Sequence, residues 1–469
     1  MKRVTLLLPG SLLLLLASCG PSGRGEPREV KARGKPAAAT EVPRSKKPEE
    51  VRRESHLKEE AVSDRAERLK KESLKTAEKL AELFPGKALP LFVLGKVYSR
   101  QGKTRKAEQC WEKALSLDPN HPDAYDAMAW LALERGEYGK ALGLWKRALA
   151  LNPKLRGARS GRARAYMGLG KVKEAAQELE KELALFPDSA LDHFLLGQQY
   201  FQLRQFEKAG ACYKRAIACK PDLTNAYHGL AQASLRLGRR EEARRYLKIF
   251  KKFKARDMER LKDRDLAYRD FEKVKKNVAL SLSEAGAVYL VEGREQEAES
   301  LFRRALEIDG KNVRARMYLA ALAEKKGRKA EAVKLLRDGL TLSPGDPELA
   351  GRLASLIARR RSPEALAEAE KILVDATKQR PRDPLCYRQL AVFYLSFGIK
   401  AGDAYKAARR AVELHRSAPN YDVLSWALYA NGRAEEAVEV INRAIELDPG
   451  NPVYKRRKEK LLQRLGLAR

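Results

Sequence analysis

Residues 106–119, KAEQCWEKALSLDP, return at 140–153 as KALGLWKRALALNP, displaced by 34 residues with Ala, Trp, Ala and Pro in register. Self-similarity at a period of this size means one supersecondary unit made over and over, each copy burying its apolar face only against the next. The alanine recurs at Ala107, Ala141, Ala175, Ala209 and Ala243, and after an interruption at Ala298, Ala332, Ala369, Ala404 and Ala437. Ten units result, over about residues 88–451. The 469-residue length is therefore a weak guide to domain number, because a stack grows by addition.

The residue types have a mechanical reading. In the repeat family that this pattern resembles, named below, each unit is a pair of antiparallel helices, A and B, whose close approach needs a side chain without bulk where they cross, and the alanine fits that place. Trp111, Trp145, Tyr213 and Phe302 fill the space beside it. Eight units carry Gly at the A-to-B turn (Gly102, Gly136, Gly170, Gly238, Gly293, Gly327, Gly398 and Gly432), suited to the left-handed residue that ends a helix. Pro119, Pro153, Pro187, Pro221, Pro344, Pro381 and Pro449 then stop helix B. With Leu94-Gly95, Tyr98, Ala107, Trp111, Ala114 and Pro119, the pattern resembles the tetratricopeptide repeat. That resemblance implies an all-α, right-handed α-solenoid of about ten helix-turn-helix repeats.

Departures from the pattern are local. Repeat 3 has Glu182 and repeat 5 Phe250 where alanine is usual, repeat 8 carries extra residues around 359–366, and repeat 9 is irregular near Gly402. Residues 258–278 fit no repeat and lie in a stretch without Gly or Pro. The expected order is a signal peptide (1–18), a disordered tether (19–60), a lead-in helix covering the first repeat (61–87), five repeats (88–257), a helical insertion (258–278), five repeats (279–451) and a basic capping helix (452–469).

Lys2 and Arg3 precede an apolar run from Val4 to Ala17, shorter than the roughly 20 residues a bilayer span needs. It ends in Leu16-Ala17-Ser18-Cys19, which resembles the bacterial lipoprotein signal, where Cys19 would receive diacylglycerol on its sulfur. The resemblance implies a protein of the bacterial cell envelope, lipid-anchored at Cys19. It would face the periplasm from the outer membrane in a cell with two membranes, and otherwise sit on the outer face of the plasma membrane. Gly20 to about Glu60, rich in Gly, Pro, Ala and charge, reads as a flexible tether spanning roughly 35 Å.

Lys plus Arg number 95 against 62 acids, a net charge of +33. This balance favours acidic partners. Export argues against nucleic acid and leaves anionic lipid headgroups, acidic envelope polymers or acidic proteins. Residues 154–173 and 244–256 each carry seven cations, the second with aromatics interleaved. Its candidate basic face is Arg244, Arg245, Lys248, Lys251, Lys252 and Lys254. The competing reading is an ordinary solvated face.

In tetratricopeptide proteins, helix A lines a groove. Carrying those positions over gives Phe92 and Lys96 in repeat 1, Asp126 and Trp130 in repeat 2, and Phe194, Gln198 and Phe201 in repeat 4. Repeat 5 contributes Asn225, His228 and Gln232, and repeat 10 Asp422, Trp426 and Tyr429. Aromatics mixed with amides suit an extended or helical peptide. The Lys/Asn/Arg clamp of chaperone-binding relatives is not reproduced.

No cofactor or metal motif stands out. GKVYSRQGKT (95–104) fails the phosphate-loop spacing, the five histidines lack partners at metal-ligand spacing, and the cysteines form no C-x-x-C pair. Catalysis has no visible home, which makes the expected role a membrane-anchored scaffold for protein or peptide partners. The alternatives are a binder of anionic polymer or lipid, and an enzyme with a hidden site. If the repeat phase is right, Ala141→Leu or Ala209→Leu overpacks a helix crossing and costs about 1–3 kcal/mol. A thermal transition unchanged by either substitution refutes the phase.

Overall fold

The computed structural model describes residues 48–262 and 266–464, with side chains for 61–259 and 270–464. Cys19 and the tether up to residue 47 lie outside the described residues. The rest is all-helical. α1 (Pro48–Leu83) leads into five helix pairs: α2 (Ala88–Arg100) with α3 (Thr104–Leu117), α4 (Pro122–Glu134) with α5 (Tyr138–Leu151), α6 (Ala158–Gly168) with α7 (Val172–Leu185), α8 (Ala190–Gln202) with α9 (Phe206–Cys219), and α10 (Thr224–Arg236) with α11 (Arg240–Lys262). Five more follow: α12 (Leu266–Val291) with α13 (Glu295–Ile308), α14 (Val313–Lys325) with α15 (Lys329–Leu342), α16 (Pro347–Ala358) with α17 (Pro363–Gln379), α18 (Pro384–Phe397) with α19 (Ala401–Leu414), and α20 (Ala418–Ala430) with α21 (Ala434–Leu447). α22 (Pro452–Arg464) closes the chain.

All ten shared alanines are 0% exposed, which places every helix crossing where the periodicity put it. The eight turn glycines have φ between 66° and 77°. Where repeats 4 and 8 lack the glycine, Arg204 (φ 58°) and Arg361 (φ 54°) take the left-handed conformation, at a steric cost glycine avoids. Neighbouring repeats are keyed together by aromatics. Tyr213 of α9 lies so close to Gly197 of α8 and Gly229 of α10 that a Cβ on either would sit 2.6–2.7 Å from its ring. Glu182, the departure in repeat 3, is buried and accepts the Gly157 N–H at 2.6 Å, just ahead of α6. An acceptor there satisfies one of the donors a helix start leaves open. Burial raises the pKa of Glu182 to about 7.

Two expectations need correction. Residues 48–60, assigned to the tether, are helical. Pro48 occupies the first position of α1, where its missing N–H costs nothing, and the Glu, Arg and Lys that follow are good helix formers. The lead-in helix also does more than cover repeat 1. Leu69 and Leu80 of α1 share one apolar core with Val93 of α2 and with Phe271, Val278, Leu282, Val288 and Tyr289 of α12. α12 thus begins a second stack against α1 and α2, while α11 packs on α10 and has no comparable packing on α12 among the described residues. The residues that fit no repeat lengthen the two flanking helices, α11 to 23 residues and α12 to 26.

At this junction Glu284 of α12 is buried beneath α2. It accepts from Arg100 Nη1 at 2.7 Å and Nη2 at 3.1 Å and pairs with Lys96, with Arg314 Nη1 3.6 Å away. Arg100 Nη1 also reaches Ser281 Oγ at 2.8 Å, and Arg304 of α13 forks onto Glu72 of α1 at 2.7 and 2.9 Å. Burial alone would raise the pKa of Glu284, but Arg100 and Lys96 outweigh it and hold the carboxyl at about 2. A second, polar meeting of the blocks lies between repeat ends: Lys154 pairs with Asp448, and Arg382 Nη1 donates to the Ala218 carbonyl at 3.0 Å.

Glu284→Gln leaves Lys96 and Arg100 buried without a counter-charge and costs on the order of 3 kcal/mol near neutral pH. Because the folded carboxyl is depressed, its contribution is present above about pH 4.5 and is lost as pH falls toward 2. The stability gap between wild type and variant, read by denaturant titration, therefore narrows on acidification across that window. A gap of constant size refutes the ionised role.

Candidate functional site

The helix A positions of repeats 2, 4 and 5 form a strip of half-buried aromatics and amides. Trp130 stands edge-on to Trp145 of its own helix B, centroids 5.3 Å apart, and Arg164 of the next repeat lies over it at 5.4 Å. Asp126, one turn earlier, accepts Trp145 Nε1–H at 2.7 Å. Its pKa is raised to about 7, chiefly by burial and despite that hydrogen bond. Phe194 tilts against Tyr213 at 5.9 Å, Phe201 meets Phe206 edge-on at 5.3 Å, and His228 packs on Phe250 at 4.8 Å. Phe250, a bulky departure from the repeat, thereby supports a strip residue. Gln198 is half-buried, and Asn225 and Gln232 are exposed.

These contacts divide each ring between core and surface. Trp130, Phe194 and Phe201 are not spare apolar area: each rests its inner edge on a helix B ring and shows only the remainder. Nor is the strip open along its whole length. In repeat 1, Phe92 is buried against His121 at 4.6 Å, and Lys96 is spent on Glu284. In repeat 10, two arginines of α22, which packs on α21, reach the strip. Arg457 pairs with buried Asp422 at 2.5 Å and covers Trp426 at 5.0 Å, while Arg464 covers Tyr429 at 5.2 Å and donates to its hydroxyl. The structure thus brings Phe194, Gln198, Phe201, Asn225, His228 and Gln232 together on adjacent repeats and separates them from Phe92, Trp426 and Tyr429.

Several residues that shape the strip escape sequence reasoning. Arg164, Arg457 and Arg464 looked like members of a uniformly basic surface. Glu284 left a signal, as the one acid in the otherwise uncharged run Asn277–Val291. The six cations proposed for a basic face, Arg244, Arg245, Lys248, Lys251, Lys252 and Lys254, are all exposed on α11. Arg244 pairs with Glu241 at 2.7 Å and Lys254 lies over the Phe250 ring at 5.7 Å.

Among the described residues, no group of three or more His, Cys, Asp or Glu side chains is placed to hold a metal, and no helix is long and apolar enough to cross a membrane. Cys110, Cys212, Cys219 and Cys386 are free thiols. Burial pushes Cys212 up to about 11 and Cys386 to about 12, so both stay protonated and poorly nucleophilic at neutral pH. A cavity of about 30 Å³ at the α1–α2–α12 junction has room for little more than water.

Family models described as tetratricopeptide repeat match residues 56–193, 289–357 and 418–451, and one described as TPR repeat matches 197–238. Among named proteins, the TPR repeat-containing protein YpiA of Bacillus subtilis is 24% identical over 265 residues, 55% of each chain, so the match spans about half of that relative. Among solved structures, TTC0263 of Thermus thermophilus is 22% identical, with 39% of this chain and 99% of that one covered and a TM-score of 0.34. Yeast Tom70 is 18% identical, with 81% and 89% covered and a TM-score of 0.35. With ten helix pairs, ten buried crossing alanines and family matches over more than half its length, the chain belongs to the tetratricopeptide repeat family.

Proposed function

We propose that this chain is a protein-interaction scaffold that binds a peptide segment on the helix A strip of repeats 2 to 5 and is held at a bacterial envelope membrane by a lipid on Cys19. The observation that carries the binding role is the strip itself. Trp130, Phe194, Phe201 and His228 present ring edges beside the amides of Gln198, Asn225 and Gln232, in a stretch that neither α12 nor α22 covers. Rings supply area that water leaves readily, and amides can pair the backbone of an extended segment. The scaffold role assigns no reaction to the chain.

Trp130→Ala and Phe194→Ala weaken capture of the partner by about tenfold or more. Because both rings rest on helix B, each also lowers stability by about 1–3 kcal/mol. Gln232→Ala, exposed, separates the two effects: weaker capture with an unchanged thermal transition. The measurement is quantitative affinity capture from envelope extract on the full chain. Wild-type capture by all three variants moves the site off this strip.

For the anchor, Cys19→Ala releases the protein from the membrane fraction or leaves the precursor uncleaved. A wild-type protein that is soluble without detergent and processed identically to the variant disproves lipidation.

A further inference from the structure

We propose that the outer face of α11 is a docking surface for an anionic lipid bilayer. The inference starts from a position, not from net charge. Eight residues beyond the shared alanine, helix B of the other repeats carries Leu115, Leu149, Leu183, Ile217, Leu306, Leu340, Thr377, Val412 and Ile445, all buried or half-buried. In repeat 5 the same position is Lys251, and it is exposed. The first stack ends there, and α12 is packed elsewhere, on α1 and α2.

An end face must be polar to stay soluble, but polarity alone asks for no single sign. Some exposed cations of other helices B and turns meet acids of an adjacent repeat, as Arg135 and Lys140 meet Glu108, Lys326 meets Glu299 and Lys400 meets Glu370, while others such as Lys113, Lys146 and Lys334 stand singly without an acid partner among the described residues. On α11, Glu241 pairs with Arg244, and Glu242 turns away to Lys214. Arg240, Arg245, Lys248, Lys251 and Lys252 are exposed with no acid partner among the described residues. From Arg240 to Lys252 they cover about 18 Å of helix. Ile249 and Met258 are exposed beside them, 36% and 50%.

A bilayer fits this face better than a peptide or a nucleic acid. The face is one convex helix backed by α10, without walls to grip a chain. Lysine stems bend toward a plane of phosphates while keeping the ammonium in water. Aliphatic side chains at the margin enter the headgroup boundary, a contact a phosphate backbone does not reward. Each Lys or Arg near an anionic surface raises partitioning about fivefold.

The test is co-sedimentation of the full chain carrying Cys19→Ala, so that no lipid anchor contributes. Vesicles of phosphatidylcholine alone are compared with vesicles containing 30% phosphatidylglycerol (on the order of 1 anionic lipid in 3). The expected result is at least tenfold tighter binding to the anionic vesicles, lost by tenfold or more in Lys248→Gln/Lys251→Gln/Lys252→Gln. The control Lys455→Gln/Arg456→Gln/Lys460→Gln on α22 removes the same charge and changes binding less than threefold. The apolar segment near the N-terminus affects both vesicle types alike. No preference for anionic vesicles, or equal loss in the two variants, overturns the proposal. So does tighter binding to duplex DNA that the α11 variant abolishes. None of these outcomes touches the peptide strip.

Discussion

A buried carboxylate shared by three cations fixes how the second stack is seated on the first. Glu284 enters the α1–α2–α12 junction with Lys96 and Arg100 from the first block and Arg314 from the second around it. Taking four charges out of water is costly and is tolerated only where each finds a partner with good geometry. The apolar part of the junction, from Leu69 and Leu80 to Phe271 and Leu282, supplies the driving force. The ionic part supplies selectivity, since a slip of α12 along α2 would strand the carboxylate. A solenoid ordinarily needs no such device, because each repeat finds the next by shape. Here the chain interrupts its stacking at α11 and resumes it against its own N-terminal helix, so register has to be set by side chains far apart in sequence.

This explains which parts of the fold were legible. Crossing alanines, turn glycines and terminal prolines are local requirements of a helix pair, repeated every 34 residues, and local requirements are what a sequence displays. Even the exceptions are local: Arg204 and Arg361 take a glycine's conformation because the same turn must be made. The docking of α12 on α1 and α2 is different in kind. It joins residues about 190 apart, such as Lys96 and Glu284, and no periodicity announces it. Two signals existed nonetheless. A lone acid in an apolar helical run asks for a buried partner, and a lysine where nine repeats place an aliphatic or threonine side chain says that no further repeat stacks on that helix.

The strip was legible in register but not in exposure. Spacing alone puts Trp130 and Phe194 on helix A beside the adjacent repeat, yet it does not say how much of each ring the helix B aromatics claim. A side chain of that size on a two-helix unit is shared between core and surface, and its division depends on what lies opposite: Trp145 for Trp130, Tyr213 for Phe194. The same uncertainty applied to charge. Arg164 and Arg457 read as surface cations until the structure laid them over Trp130 and Trp426.

Those two arginines meet the strip in different ways. Repeats 2 and 10 carry the same pair in the same register, Asp126 with Trp130 and Asp422 with Trp426, an acid one turn ahead of an indole. In repeat 10 Arg457 of α22 is ion-paired to Asp422 and placed above the Trp426 ring. In repeat 2 an arginine also covers the indole, but it comes from the neighbouring repeat, and the acid is turned inward to Trp145. In repeat 10 the acid and the indole are therefore both taken by one arginine of the same molecule, through a cation over a ring and a charge beside it, interactions that gain strength as water is excluded. Repeat 2 has the ring but its acid is turned to Trp145, so what it leaves exposed is ring edge without a free carboxylate. The ion pair and cation–ring contact that fix α22 at the end of the stack are accordingly not repeated along its length, where the same acid serves the core.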